Sequence, residues 1–236
     1  MLKISDLKAG YGSSEVLHGA SLSLERGDRL GLFGPNGHGK TTLLRTISGL
    51  LPSRSGAIEY EGESLVGLSP KEIVKRGVVH VPQANRLFPE MSVSDCLSLG
   101  AYSRRTWSHR RASLEGVFEL FPKLKLRLSQ KAQSLSGGER QMLSIGVGLM
   151  SMPTLLMLDE PSLGLAPRMI EELSEGIGKI ASTGVTMILV DQNVEMLLEC
   201  CGPLYLLEQG MIALEAENEN EFDEGRLLTR YFGTEF

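Results

Sequence analysis

The amino-terminal stretch alternates apolar and polar positions in strand fashion, with Leu2, Ile4 and Leu7, then Leu22 and Leu24, and turn residues between Gly10 and Ser14 and at Arg26, Gly27 and Asp28. This pattern predicts an antiparallel β patch. A second kind of strand follows, short and apolar on both faces, at Arg29 to Phe33, Gly77 to Val81, Leu155 to Leu158 and Val185 to Val190. Runs without alternation suit the buried strands of a parallel sheet. Helical patterns or helix-start signals cover Lys40 to Ser48, Ser92 to Gly100, Ser108 to Phe121, Gly137 to Met150, Pro167 to Ala181 and Asn193 to Cys201. Ser69, Pro70 and Glu72 supply a cap, an N1 proline and a capping-box acid for a further helix. Leu51 to Gly56 reads as a break and Ala57 to Tyr60 as a short returning strand. Leu204 to Leu207 and Met211 to Leu214 form a closing pair across Glu208, Gln209 and Gly210. The expected fold class is α/β, a mixed and mainly parallel sheet with an antiparallel patch. Residues 86–152 read as helical, without a core strand.

Candidate chemistry lies where these elements end. Gly34, Pro35, Asn36, Gly37, His38, Gly39, Lys40 and Thr41 follow one buried strand and open a helix. A glycine, four residues, then Gly-Lys-Ser/Thr is the pattern that cradles a polyphosphate. The turn aims backbone N–H groups inward, and the helix dipole adds roughly half a positive charge there. Lys40 is expected to reach the terminal phosphates and the Thr41 hydroxyl to ligate Mg²⁺, with Thr42 beside it. Asp159 and Glu160 follow the apolar run 155–158, at the carboxyl edge where open α/β sheets bind ligands. Asp159 is expected to face Mg²⁺ and Glu160 the attacking water. Ser136 and Glu139 stand at capping-box spacing around Gly137 and Gly138, which makes a second anion-binding helix start. Two such starts in one short chain make sense if each completes the other's site in a second copy.

Leu135-Ser-Gly-Gly-Glu-Arg-Gln141 resembles the signature motif of ABC-type ATPases, and the resemblance runs over nearly the whole chain. It implies a P-loop NTPase core, 1–85 and 153–236, with an inserted helical subdomain, 86–152, in a single nucleotide-binding domain 1–236. It implies ATP and Mg²⁺ as cofactors, Tyr11 stacked on adenine, Gln83 sensing Mg²⁺ and the transport partner, and Ser162 to Leu165 as a loop coupling two sites. Ser136, Gly137 and Gly138 would meet the γ-phosphate across a head-to-tail dimer. Gln192 stands where the family usually keeps a switch histidine; an amide can donate a hydrogen bond but cannot carry an imidazolium charge. His38 stands where a small residue is usual, its ring expected to point to solvent or toward the partner chain. The stretch Val190 to Asn193, with 143–153 and Pro161 to Pro167, is similar to the ATP-binding subunits of branched-chain amino acid importers, with urea and short-chain amide importers close by. The implied partners are two transmembrane permease subunits, a second ATPase chain, the same or different, and an extracytoplasmic solute-binding protein indirectly. Non-transport ABC ATPases acting on ribosomes or DNA, and a regulatory subunit without turnover, are the alternatives.

Composition narrows this little further. With 236 residues and 42% hydrophobic content the chain can bury a core, and its net charge of −5 argues against nucleic acid as partner. No apolar run reaches the roughly 18 to 20 residues of a membrane span. The start of the chain has no secretory pattern, so a peripheral place on the cytoplasmic face of the inner membrane is expected. Cys96, Cys200 and Cys201 suit neither a disulfide framework nor a zinc site. The basic residues Arg104, Arg105, Arg110 and Arg111, and those from Lys123 to Lys131, read as a solvated face or as a surface near the inner leaflet.

Overall fold

A computed structural model describes residues 1–83 and 87–216. The amino-terminal alternation builds β1 (Leu2–Tyr11) and β2 (Ser14–Leu24), which pair antiparallel with Leu2 opposite Leu24 and Ile4 opposite Leu22. β4 (Ser53–Tyr60) and β5 (Glu63–Ser64) complete a four-stranded sheet in the order β2-β1-β4-β5. The buried positions of β1 change phase, from Leu2 and Ile4 to Leu7 and Ala9. An extra residue must be absorbed between them, and the register shifts there, with Asp6 at φ 46°.

That bulge explains a departure from the sequence reading. Ser53 to Gly56, read as part of a break, is strand: Ser53 pairs with Ala9 and Ser55 with Lys8. Gly56 is there because the bulged strand comes close. At φ 89° a Cβ would lie 2.5 Å from the Asp6 carbonyl oxygen. The glycine taken for a breaker is a close-approach residue inside a sheet.

The second sheet has six strands in the order β10-β9-β3-β8-β7-β6. β3 (Arg29–Phe33), β6 (Val78–Val81), β7 (Leu155–Asp159), β8 (Thr186–Val190) and β9 (Leu204–Glu208) run parallel, and β10 (Met211–Ala216) returns antiparallel to β9. One face packs on the antiparallel sheet and α1 (Lys40–Ile47), through Leu30, Leu32, Leu43, Leu44, Met157 and Ile188. The other face packs on helices from the segment between β6 and β7 and from the segments after β7, through Leu156, Leu158, Leu173, Ile177 and Leu189. With both faces covered, β7 and β8 are buried throughout, as their unbroken apolar runs require.

Among the described residues between β6 and β7 the chain contributes no strand to either sheet. It forms α3 (Val93–Gly100), α4 (Arg104–Leu120), the single turn α5 (Pro122–Lys125) and α6 (Gly137–Met150). α4 begins four positions before the predicted Ser108, because Ser103 and Thr106 make a capping box. α2 (Pro70–Lys75) carries the predicted box of Ser69 and Glu72. α7 (Pro167–Ser182) and α8 (Val194–Cys200) complete the layer. All three cysteines are free, Cys96 and Cys200 buried. No helix among the described residues is long and apolar enough to cross a membrane.

Candidate functional site

β3, β7 and β8 end at one edge of the sheet, and each delivers candidate residues there. After β3 the backbone turns through Gly34, Gly37 and Gly39 at φ 147°, 82° and 109°. Gly34 passes so close to β9 that a Cβ would sit 2.1 Å from the Leu207 carbonyl oxygen. Gly39 caps α1 in the left-handed region and offers no side chain to the helix. The first N–H groups of the helix therefore lack a side-chain acceptor, which suits an anion.

Lys40 folds back over this loop. Its Nζ donates to the carbonyls of Gly34 at 2.7 Å and Pro35 at 3.2 Å, and lies 3.7 Å from Glu160 Oε1. Burial pulls the ammonium below its ordinary pKa, while Glu160, Asp159 and Asp191 push it back. Thr41 Oγ1 donates to Asp159 Oδ1 at 3.0 Å. Asp159 is only 2% exposed, and its other oxygen lies 3.9 Å from His80 Nε2, a buried nitrogen without a hydrogen-bond partner among the described residues.

Glu160 is held in place through both its backbone and its carboxylate. Its backbone sits at φ 45°, a conformation uncommon for a residue with a Cβ, held by an N–H bond to the Val190 carbonyl at 2.7 Å. Gln83 Nε2 donates to Oε2 at 2.7 Å and Gln192 Nε2 to Oε1 at 3.1 Å. Each carboxylate oxygen thus has its own amide. Asn36 Nδ2 reaches the Gln192 Oε1 at 3.5 Å, which closes the ring back to the loop after β3.

One cleft of about 370 Å³ is walled by Asn36, Gly37, Gly39, Lys40, Thr41, Thr42, Gln83, Glu160, Leu163 and Gln192, with Gly34, Pro35, His38 and Asp159 outside its walls. Ser136, Gly137, Gly138 and Tyr11 are not among its walls. Ser136 caps α6 instead, accepting from Glu139 N–H, while Glu139 accepts from Ser136 N–H. Tyr11 is 44% exposed, its hydroxyl accepting from Arg45 on α1 at 3.1 Å. His38 departs from the expectation of solvent or partner: its Nδ1 accepts from Gln209 N–H and its carbonyl from Gly210 N–H, tying the loop to the β9–β10 turn.

The residue that sequence reasoning missed is Asp191. Buried to 2% exposure, it accepts from Ser162 N–H and Oγ, from Gln192 N–H and from Asn193 N–H, at 2.6 to 3.0 Å. It therefore braces the loop after Glu160 against the loop that carries Gln192. An acid directly after an unbroken apolar strand, as at Asp159, was the only signal available.

A family profile described as ABC transporter matches residues 17–163. The chain is 42% identical over 233 residues to the high-affinity branched-chain amino acid transport ATP-binding protein BraG of Pseudomonas aeruginosa, covering 99% of this chain and 100% of that protein. It is 34% identical to the probable branched-chain amino acid transport ATP-binding protein LivF of Archaeoglobus fulgidus, over 90% of each. Among solved structures, the ADP conformation of an ATP-binding cassette of an ABC transporter superposes with a TM-score of 0.85 at 26% identity, covering 99% of this chain and 97% of that one.

Proposed function

Because this chain belongs to the ABC transporter family as an ATP-binding subunit, we propose that it hydrolyses ATP to drive an importer for branched-chain amino acids, as one half of a head-to-tail cassette pair. The observation that carries hydrolysis is the Glu160 carboxylate, oriented by two amides in the cleft that also holds Lys40. Hydrolysis of a phosphoanhydride needs positioning and charge stabilisation around an in-line attack. Glu160 orients the water and accepts its proton. Lys40 exchanges the carbonyls of Gly34 and Pro35 for phosphate oxygens, and a neighbouring polyanion favours its charged form. Gln192, bonded to Glu160, turns its amide toward the same centre.

Thr41 and Asp159 fit Mg²⁺. A hydroxyl and a buried carboxylate already in contact form a hard oxygen set, and Mg²⁺ is usually held by one or two carboxylates plus phosphates and waters. When bound, the ion would neutralise charge on the phosphate oxygens. Gln83, assigned to the same ion in the sequence, donates its amide to Glu160 here, so its carbonyl oxygen is the end left for a metal.

Ser136, Gly137 and Gly138 stand outside the cleft, which supports their action on a second cassette. A separate groove supports the permease partner. Val74, Val81, Pro82, Leu87, Leu99 and Tyr102 line an open, largely apolar channel of about 280 Å³ between β6 and α3. Leu99 and Tyr102 are exposed. It would receive an apolar segment of a transmembrane subunit beside the Gln83 loop. Affinity isolation from native membranes tests the whole reading. Two permease chains and a sister ATPase support it, and a binding protein retaining urea or amides would move the substrate. Ribosomal proteins alone would overturn it.

A further inference from the structure

The arginines and lysines from Arg104 to Lys131 divide into two sets that the sequence does not separate. Lys123, Lys125, Arg127 and Lys131 each meet a carboxylate, of Glu172, Glu115, Glu139 and Glu90 respectively, at 2.6 to 3.1 Å. Arg104, Arg105, Arg110 and Arg111 form no ion pair among the described residues. Arg105 and Arg110 donate only to the carbonyls of Met152 and Trp107. No acidic residue occurs between Asp95 and Glu115, although the whole chain is net negative at −5. Positive charge has been gathered at the start of α4 and left unneutralised.

It is also gathered where the helix disfavours it. The positive end of a helix dipole favours acids in the first turn. α2, α3, α6 and α8 follow that rule with Glu72, Asp95, Glu139 and Glu195; α1, α5 and α7 have no acid there, and neither does α4, which alone places two arginines, Arg104 and Arg105, in its first turn. Helix stability does not account for these cations. Arg104, Trp107, Ser108 and Arg111 follow helical spacing and are all exposed, so they form one outward stripe. Trp107 is 49% exposed, with the Arg110 guanidinium 4.3 Å from its ring centre.

We propose that the start of α4, Arg104 to Arg111 around Trp107, rests on the anionic surface of a lipid bilayer. A cluster of unpaired arginines complements a layer of phosphate headgroups, and an indole with one apolar and one polar edge settles at that depth. Tyr102, immediately before α4, lines the groove assigned above to the permease, so the stripe adjoins the face that would be turned to the membrane. That adjacency rests on the permease reading; the charge and the exposed indole do not. Nucleic acid also attracts arginine, but the chain's overall negative charge opposes a polyanion that wraps it, more than one plane touching a single helix.

Trp107 is the single tryptophan of the chain, so its fluorescence reports on this stripe alone. The full chain is mixed at low ionic strength with vesicles of phosphatidylcholine, and with vesicles in which a third of the lipid is phosphatidylglycerol. The expected result is a blue shift of the emission and co-flotation with the anionic vesicles only, both suppressed at high salt. The triple variant Arg104→Gln, Arg105→Gln, Arg111→Gln keeps Arg110 against the indole. It should bind anionic vesicles about a hundredfold more weakly, at about fivefold per arginine or about 1 kcal/mol each. Unchanged ATP binding by the variant shows that it is folded. No shift with anionic vesicles, equal binding by the variant, or a shift produced by oligonucleotides and not by vesicles would overturn the proposal. Leu99→Asp separates it from the permease reading: permease capture is lost, vesicle binding persists.

Discussion

At the start of α1 the capping residue is Gly39, in a left-handed conformation with no side chain to give; at the start of α6 it is Ser136, locked in a reciprocal box with Glu139. Both starts suit an anion, yet they answer to different needs. α1 leaves its N–H groups bare and gathers Lys40, Thr41, Asp159 and Glu160 around them, each satisfied by another until a ligand intervenes. α6 satisfies its own end, with Arg127 2.7 Å from Glu139, and needs nothing bound to be complete. A start that must exchange partners is suited to capture and chemistry, whereas one already stable is suited to docking as a rigid piece.

The largest effect expected from testing this contrast is at Glu160. Glu160→Gln should lower phosphate release at least a hundredfold, the ordinary contribution of a positioned base, with ATP binding retained in a nucleotide titration. Gly137→Asp probes the other start. A Cβ there meets only Leu165 at 3.9 Å, and an acid in the first turn suits the helix dipole, so the melting temperature should hold. Hydrolysis should nevertheless fall about tenfold or more through repulsion of the partner's phosphate, with single-chain ATP affinity unchanged. If affinity falls as well, the two starts act on the same nucleotide and the contrast fails. Gln192→Ala removes one amide from Glu160 and should slow hydrolysis about tenfold, in line with about 1.5 kcal/mol for a hydrogen bond to a charged group.

The smallest effect concerns pH. Burial alone would raise the Glu139 carboxyl, but the Ser136 N–H and hydroxyl, with Arg127 and Lys123, hold it below the ordinary value of 4.5. A carboxylate so depressed contributes stability fully above the ordinary value and loses it as the pH falls through the lowered one. Glu139→Gln should therefore cost about 1 kcal/mol in thermal unfolding at neutral pH, and the difference should shrink under acid.

Much of this architecture was legible because local signals and tertiary packing agree. Unbroken apolar runs marked β7 and β8, and capping residues marked α2 and α6. Of the residues expected to act on phosphate and metal, Asn36, Gly37, Gly39 to Thr42, Gln83, Glu160 and Gln192 line one cleft, since strand ends and a glycine loop leave few other places for them, while Gly34, Pro35, His38 and Asp159 are not among its walls. What stayed hidden depends on contacts between distant segments. Gly56 looked like a breaker because the Asp6 bulge opposite it cannot be read locally. The imidazole of His38 found the backbone of Gln209, and His80 lies behind Asp159, through pairings that no spacing rule encodes. The two classes of arginine and lysine from Arg104 to Lys131 differ in which carboxylates the fold brings near.

The bracket at Asp191 has a consequence for descent. One carboxylate receives four donors from Ser162, Gln192 and Asn193, so a change at this single codon disturbs two loops separated along the chain. Lineages that lose the acid at this position should also lose the hydroxyl at 162, and a chimera taking the two loops from different ancestors should inherit a fault that neither parent had.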